Sequence, residues 1–195
     1  LTVRRFCRRR ISEKSKNTYR PVINLFKLFA SFMILISSTL LGFLKAADFE
    51  KREKILKRLK YDLDFIKNEI TFMRTPVEGI IKKLSETEGE LKIFYKTVYD
   101  EIRKNADTSV SQIWLCKTEE TLKLMPITKG DADVLRLLGQ SFGKSDTDGQ
   151  SAVINTAAEN LNLQLCNAVS EKEKNSHLFK SLGFYAGILI VVMFF

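Results

Sequence analysis

The sequence predicts an all-α protein: an antiparallel helical bundle flanked by an N-terminal and a C-terminal transmembrane helix. Three observations predict it. Two uncharged apolar runs lie near the chain ends, the interior is patterned at helical spacing with recurrent capping residues, and no segment sustains the period-2 alternation of a strand. The expected organisation is a basic arm over 1–22, a transmembrane helix over 23–44, a helical soluble domain over 45–180 and a transmembrane helix over 181–195.

Leu28 to Leu44 is 17 residues without a charge, and Ser181 to Phe195 is 15 more. A span needs roughly 20 apolar residues, range about 17–25. The first run reaches that length with Val22 to Phe26 if Lys27 snorkels its ammonium to the interface, and the second with Leu178, Phe179 and Lys180. Such runs lack the polar face of a soluble core helix. A cleaved signal peptide fits the first run poorly. Its apolar region exceeds the usual length of roughly 7–15 residues, and the exit Leu44-Lys45-Ala46-Ala47 lacks small residues at both positions of a cleavage site. An uncleaved anchor is expected.

After the first span, Ile55, Leu59, Leu63, Ile66, Ile70 and Met73 line one helix face, with Lys, Arg, Asp and Glu assigned to the solvated face. Thr75-Pro76-Val77-Glu78 then predicts a capping box opening a second helix. Leu91, Phe94, Tyr95, Val98 and Ile102 form a third stripe. Ser109 with Gln112 opens a fourth helix carrying Val110, Ile113 and Trp114. Thr128 with Asp131 opens a fifth carrying Val134, Leu135, Leu138 and Phe142. Ser145 with Asp148 opens the last, whose stripe Ile154, Ala157, Leu161, Leu165 and Ala168 is expected to run unbroken into the second span. Short capped helices with brief turns indicate antiparallel packing.

The net charge of +9 is concentrated: residues 1–24 carry +7 and the remaining 171 carry +2. A nucleic-acid protein would spread basic residues over its folded domain, so nucleic acid is not an expected partner. The arm's arginines (Arg4, Arg5, Arg8, Arg9, Arg10) suit anionic lipid. The first Met is Met33, and the arm is expected to lie outside the working protein. Cys7, Cys116 and Cys166 form no C-x-x-C and have one possible histidine partner, His177, so zinc is not expected. Cys116 and Cys166 are expected as free thiols filling helix faces, in a reducing compartment.

Gly139-Gln140-Ser141-Phe142-Gly143-Lys144-Ser145 has three residues between its glycines where a phosphate loop needs four, and it follows a helix instead of a strand. Nucleotide-dependent chemistry at Lys144 is therefore the most distant reading. Gly143 is expected to let the chain leave a helix, with Ser145 capping the next. Asp146 and Asp148 lack the later bidentate Glu of a calcium loop and suit a helix's positive end. With one histidine and no partnered nucleophile, the expectation is a non-enzyme without cofactor, metal or small-molecule substrate. Gly183 and Gly187 form G-x-x-x-G, and Ser38, Gly42 and Ala46 give a matching track, so backbones can approach closely in lipid, between the two spans or between protomers.

Several stretches resemble one known family. Ser38 to Ala47 (S-T-L-L-G-F-L-K-A-A), Glu69-Ile70 through Thr75-Pro76 and Glu78, and Glu171 to Gly187 all match it. The most specific is Leu138 to Gln150, L-G-Q-S-F-G-K-S-D-T-D-G-Q, against a family pattern L-G-x-x-x-G-x-S-D-x-x-G-Q. On these residues the chain, from about Ile23 to Phe195, is similar to the stage III sporulation protein AB (SpoIIIAB) family. The resemblance implies a subunit of the SpoIIIA–SpoIIQ complex linking mother cell and forespore. It also implies a soluble domain similar to the inner-membrane platforms of type II secretion and type IV pilus machines, engaging a secretion-type ATPase, SpoIIIAA. The implied location is the mother-cell-derived outer forespore membrane, with the domain facing the mother-cell cytoplasm. Its signature turn would comprise Gly139, Gly143, Ser145, Asp146, Gly149 and Gln150, as architecture or partner contact.

Orientation turns on the arm. Near the spans the domain offers ten basic residues against eight on the arm. Without the arm, the positive-inside rule places the domain in the cytoplasm. The competing expectation is a double-anchored extracytoplasmic sensor or adaptor domain.

Overall fold

The computed structural model describes residues 2–105, 107–142 and 147–194, with side chains described from Phe26 onward except at 122, 147 and 194. Six helices occupy it, and no strand occurs among the described residues: α1 (Thr2–Thr71), α2 (Val77–Glu86), α3 (Lys92–Lys104), α4 (Val110–Leu122), α5 (Lys129–Ser141) and α6 (Thr147–Phe194). They divide into two compact units, one of Leu1–Ala46 with His177–Phe195, the other of Ala47–Ser176.

In the second unit, α2, α3, α4 and α5 pack on one another in chain order. The stripe on α1 is buried from Ile55 to Ile70, widened by Leu56. The stripes of α3, α5 and α6 join it in one apolar core. At its centre Trp114 is fully buried. Its ring meets Phe94 edge-on at 4.9 Å and Phe142 edge-on at 5.0 Å, the geometry that the opposed edge and face charges of aromatic rings favour. Its indole N–H donates to the Leu135 carbonyl at 2.8 Å, so the polar handle is satisfied in the core.

Two helix starts form as the spacing predicts. The Ser109 hydroxyl accepts from the Gln112 amide at 3.3 Å. Thr128 and Asp131 make a full capping box, at 2.8 and 3.3 Å. The predicted start at Ser145 lies outside the described residues.

The capping box expected at Thr75 does not form. α2 has no side-chain cap. Arg74 takes φ +52°, and the Thr75 amide reaches back to the Glu69 carbonyl at 3.0 Å while its hydroxyl donates to the Glu69 carboxylate at 2.6 Å. Lys83 donates to both oxygens of that carboxylate at 2.8 Å. The Thr75 side chain is thus tied back to the end of α1 by a charge-assisted bond, and no α2 amide donates to it. Because α1 ends at Thr71, Met73 leaves the helical phase and is 71% exposed, not part of the core stripe. The supposed solvated face of α1 is also partly buried, at Arg52, Glu53 and Asp62. Cys116 and Cys166 fill no core gap; both thiols are exposed.

In the first unit the apolar side chains point outward. Phe26, Leu28, Phe29, Phe32, Leu40, Leu41 and Leu44 on α1, and Leu182, Tyr185, Leu189 and Val192 on α6, are largely exposed. Only 6% of each helix's most apolar 18-residue window is buried. A soluble core helix would show the reverse. Hydroxyls here are turned back on their own helix, from Ser31 to the Lys27 carbonyl at 2.8 Å, Ser37 to Met33 at 2.8 Å and Thr39 to Leu35 at 2.7 Å. This satisfies them without water.

Candidate functional site

The signature Gly139 lies in the last turns of α5, directly beneath the indole of Trp114. A Cβ there would collide with Trp114 Cδ1. The indole cannot yield, being fully buried and tethered to Leu135. Ser111 on α4 donates to the Gly139 carbonyl at 2.8 Å, closing the α4–α5 contact. Gly149 and Gln150 occupy the first turn of α6, half-buried. Next to them the Ser151 and Thr71 hydroxyls meet at 3.2 Å, joining the start of α6 to the end of α1. Gly143, Ser145 and Asp146 lie outside the described residues. The described part of the signature thus splits between a tight core contact and a helix start.

Sequence reasoning missed a network of charges that ties the helices of the second unit together. Arg52 on α1 donates from Nε to Asp131 Oδ2 at 2.8 Å and from Nη2 to Asp131 Oδ1 at 3.0 Å. Its Nη1 donates to Glu171 on α6 at 2.6 Å. Asp131 also accepts the Thr128 amide, so one carboxylate both caps α5 and holds the arginine. Beside it the polarity reverses: Glu53 on α1 accepts Lys172 of α6 at 2.8 Å and Lys57 at 2.7 Å. Hydrogen bonds from Lys172 and Lys57 hold the Glu53 carboxyl below its ordinary range, and Asp131 raises the Arg52 guanidinium above its own. A second buried charge, Asp62, accepts the Tyr95 hydroxyl at 2.8 Å and Arg58 Nε at 2.9 Å. Burial pushes its carboxyl up, while Tyr95 and Arg58 pull it back. Such paired groups fix geometry. Among the described residues no three His, Cys, Asp or Glu side chains gather to hold a metal. The half-legible signal was the Thr128–Asp131 spacing, which located the cap but not Arg52.

In the first unit the small residues meet. A Cβ on Gly42 would lie 2.5 Å from the Phe179 carbonyl and 3.1 Å from Gly183 Cα. One on Gly183 would lie 2.9 Å from the Ser38 carbonyl, and one on Gly187 3.1 Å from a Leu35 methyl. The Ser38 hydroxyl donates to the Gly183 carbonyl at 2.7 Å. Backbone this close leaves no room for a Cβ at Gly42 or Gly183, whereas at Gly187 the nearest atom is a flexible side-chain methyl.

Residues 27–195 match the family model described as stage III sporulation protein AB. The chain belongs to the stage III sporulation protein AB family. It is 26% identical over 171 residues to Stage III sporulation protein AB of Bacillus subtilis (strain 168), covering 86% of this chain and 98% of that relative. A solved structure of SpoIIIAB superposes with a TM-score of 0.58 at 18% identity, covering 64% of this chain and 98% of that one. At that identity the likeness is one of fold, and the fold agrees: all-helical. Membership in the SpoIIIAB family gives the chain a role in stage III of sporulation, and its two exposed apolar helices associate it with a membrane.

Proposed function

We propose that this SpoIIIAB-family chain is a membrane platform of the SpoIIIA–SpoIIQ complex. In this reading residues 23–44 and 181–195 cross the bilayer, and the helical domain between them couples to a SpoIIIAA-like ATPase and to other SpoIIIA subunits. The domain faces the mother-cell cytoplasm from the outer forespore membrane. The platform catalyses nothing itself. The observation that carries the reading is the match over residues 27–195 together with the outward-facing apolar surface of both end segments. The ionic network supports it, because a coupling subunit must keep its helices in fixed register under load. The signature turn, Gly139, Gly143, Ser145, Asp146, Gly149 and Gln150, is the proposed partner contact or its architectural support.

The test is retention of purified SpoIIIAA-type ATPase on the immobilised full-length chain. We expect retention by the wild type and weakened retention by Asp146→Ala at unchanged thermal stability. Absence of retention, or a variant indistinguishable from wild type in retention and stability, contradicts the proposal. Orientation separates it from the extracytoplasmic reading. Cys116 and Cys166 are exposed, so in a Cys7→Ser chain an impermeant maleimide should label them only after permeabilisation. Labelling in intact cells would favour the extracytoplasmic domain.

A further inference from the structure

The apolar surface of the first unit is not uniform. On α1, Phe32, Leu35, Ile36, Thr39, Leu40 and Phe43 recur at helical spacing along one face. With Phe184 of α6 they line an open groove of about 470 Å³, within the roughly 300–1,000 Å³ of ligand-sized clefts. Leu35 and Thr39 are half-buried at its floor, while Phe32, Ile36, Leu40, Phe43 and Phe184 stand exposed around it. The Thr39 hydroxyl is already satisfied, donating to the Leu35 carbonyl at 2.7 Å. Phe32 and Phe43 lie about 16 Å apart at helical rise, close to half of the roughly 30 Å hydrocarbon core. One end of the groove is charged. Lys180, one helical turn before Phe184 on α6, carries its ammonium 5.8 Å from the centre of the Phe43 ring. This is the interfacial end, because the uncharged run of α1 closes at Leu44 and Lys45 follows. Residues 23–46 and 177–195 contain no Asp or Glu. The next acids in sequence, Asp48, Glu50 and Glu173, belong to the second unit.

A groove one leaflet long, apolar along its length and cationic at its interfacial end, matches a phospholipid in both parts. We propose that it holds one acyl chain of an anionic phospholipid whose phosphate pairs with Lys180. The site exists only if residues 23–44 and 181–195 cross the bilayer, so it rests on the platform reading. A third transmembrane helix fits the groove less well. Close helix packing in lipid uses small residues, and this lining is mostly aromatic or branched. The small residues of the unit, Ser38, Gly42, Gly183 and Gly187, are taken up where the two spans meet. A flexible acyl chain follows the irregular floor between the rings, and the rings supply the dispersion contacts. The bound lipid would hold the packed pair of spans in an anionic patch of the membrane.

Photolabelling of the full chain in vesicles tests this. Phosphatidylcholine vesicles receive a trace of phosphatidylglycerol or of phosphatidylcholine, each with a photoactivatable diazirine on one acyl chain, and labelled peptides are mapped by mass spectrometry. The expected result is label on the 32–43 stripe and at Phe184, several-fold stronger from phosphatidylglycerol. Lys180→Gln should lower that preference by about fivefold, the effect of one basic group near anionic lipid. Lys45→Gln removes the same charge, but two residues past Phe43 and so on the other side of α1, and should leave the preference unchanged. Leu40→Trp, at an exposed position, should fill the groove with loss of label and no shift in thermal midpoint. Carbonate washing of the same vesicles separates two ways of failing. A chain released by carbonate does not cross the bilayer, which overturns the platform reading and this site with it. A chain that stays embedded but takes equal label from both lipids, or equal effects from both lysine substitutions, overturns the lipid site alone. So does an embedded chain whose groove takes no label because a second copy cross-links there.

Discussion

Gly139 shows how one absent side chain organises a core. The Trp114 ring lies where a Cβ would stand, and the indole is held by its own hydrogen bond. Gly139→Ala should therefore destabilise the protein by about 1–3 kcal/mol, the usual range for overpacking, read as a lowered thermal midpoint. Asp62 makes a prediction in pH. Its carboxyl is raised above its ordinary value of 3.8, chiefly by burial. Just above that value the folded chain keeps a proton that the unfolded chain has lost, so rising pH removes stability until the folded group too has ionised. Below 3.8 both states are protonated and the contribution is constant. Glu53 and Glu69, whose carboxyls are lowered, act oppositely, losing their stabilisation as pH falls. The difference between wild type and Asp62→Asn isolates Asp62. The wild type should lose ground to the variant as pH rises through the mildly acidic range, and parallel thermal midpoints would contradict the assignment.

At the scale of elements, what is local in sequence was legible. Apolar spacing placed the stripes of α3, α5 and α6, and the Thr128–Asp131 spacing placed a cap, because each depends on residues within a turn or two. Where the Thr75 cap was expected, the side chain is instead tied back to Glu69, itself held by Lys83, a cluster assembled through space across the end of α1 and α2. Arg52 was read as solvated because its partners lie 79 and 119 residues away. No periodicity encodes such pairs. The network makes a strong prediction: Arg52→Met leaves Asp131 buried and unpaired by its arginine, which should cost about 3–5 kcal/mol. A loss no larger than that of an exposed lysine substitution would show the network to be peripheral. In the first unit, the ideal Cβ of Gly187 lies 3.3 Å from Ser38 Cβ, close to the roughly 3.5–4.5 Å of disulfides. Ser38→Cys with Gly187→Cys, in a chain lacking the native cysteines, should oxidise within one copy. Reductant-sensitive dimers instead would mean that this pairing is between copies. The signature motif was legible as a pattern but not in its physics: Gly139 was read as a turn glycine, whereas the structure gives it a packing reason, visible only once Trp114 is placed.

For the whole molecule, the uneven distribution of apolar residues matters more than their total. The interior unit buries its stripes, while the end segments, of the same residue types, turn theirs outward. That contrast, with membership in the SpoIIIAB family, is why a sporulation role and a membrane association belong together. The platform role rests on both end segments crossing lipid, and sodium carbonate washing of membranes tests this most directly. At high pH peripheral proteins are stripped, while a chain with lipid-embedded helices sediments with the bilayer. The account predicts that the full-length chain stays entirely in the pellet and is released only by detergent. Recovery of the folded chain in the carbonate supernatant would contradict it.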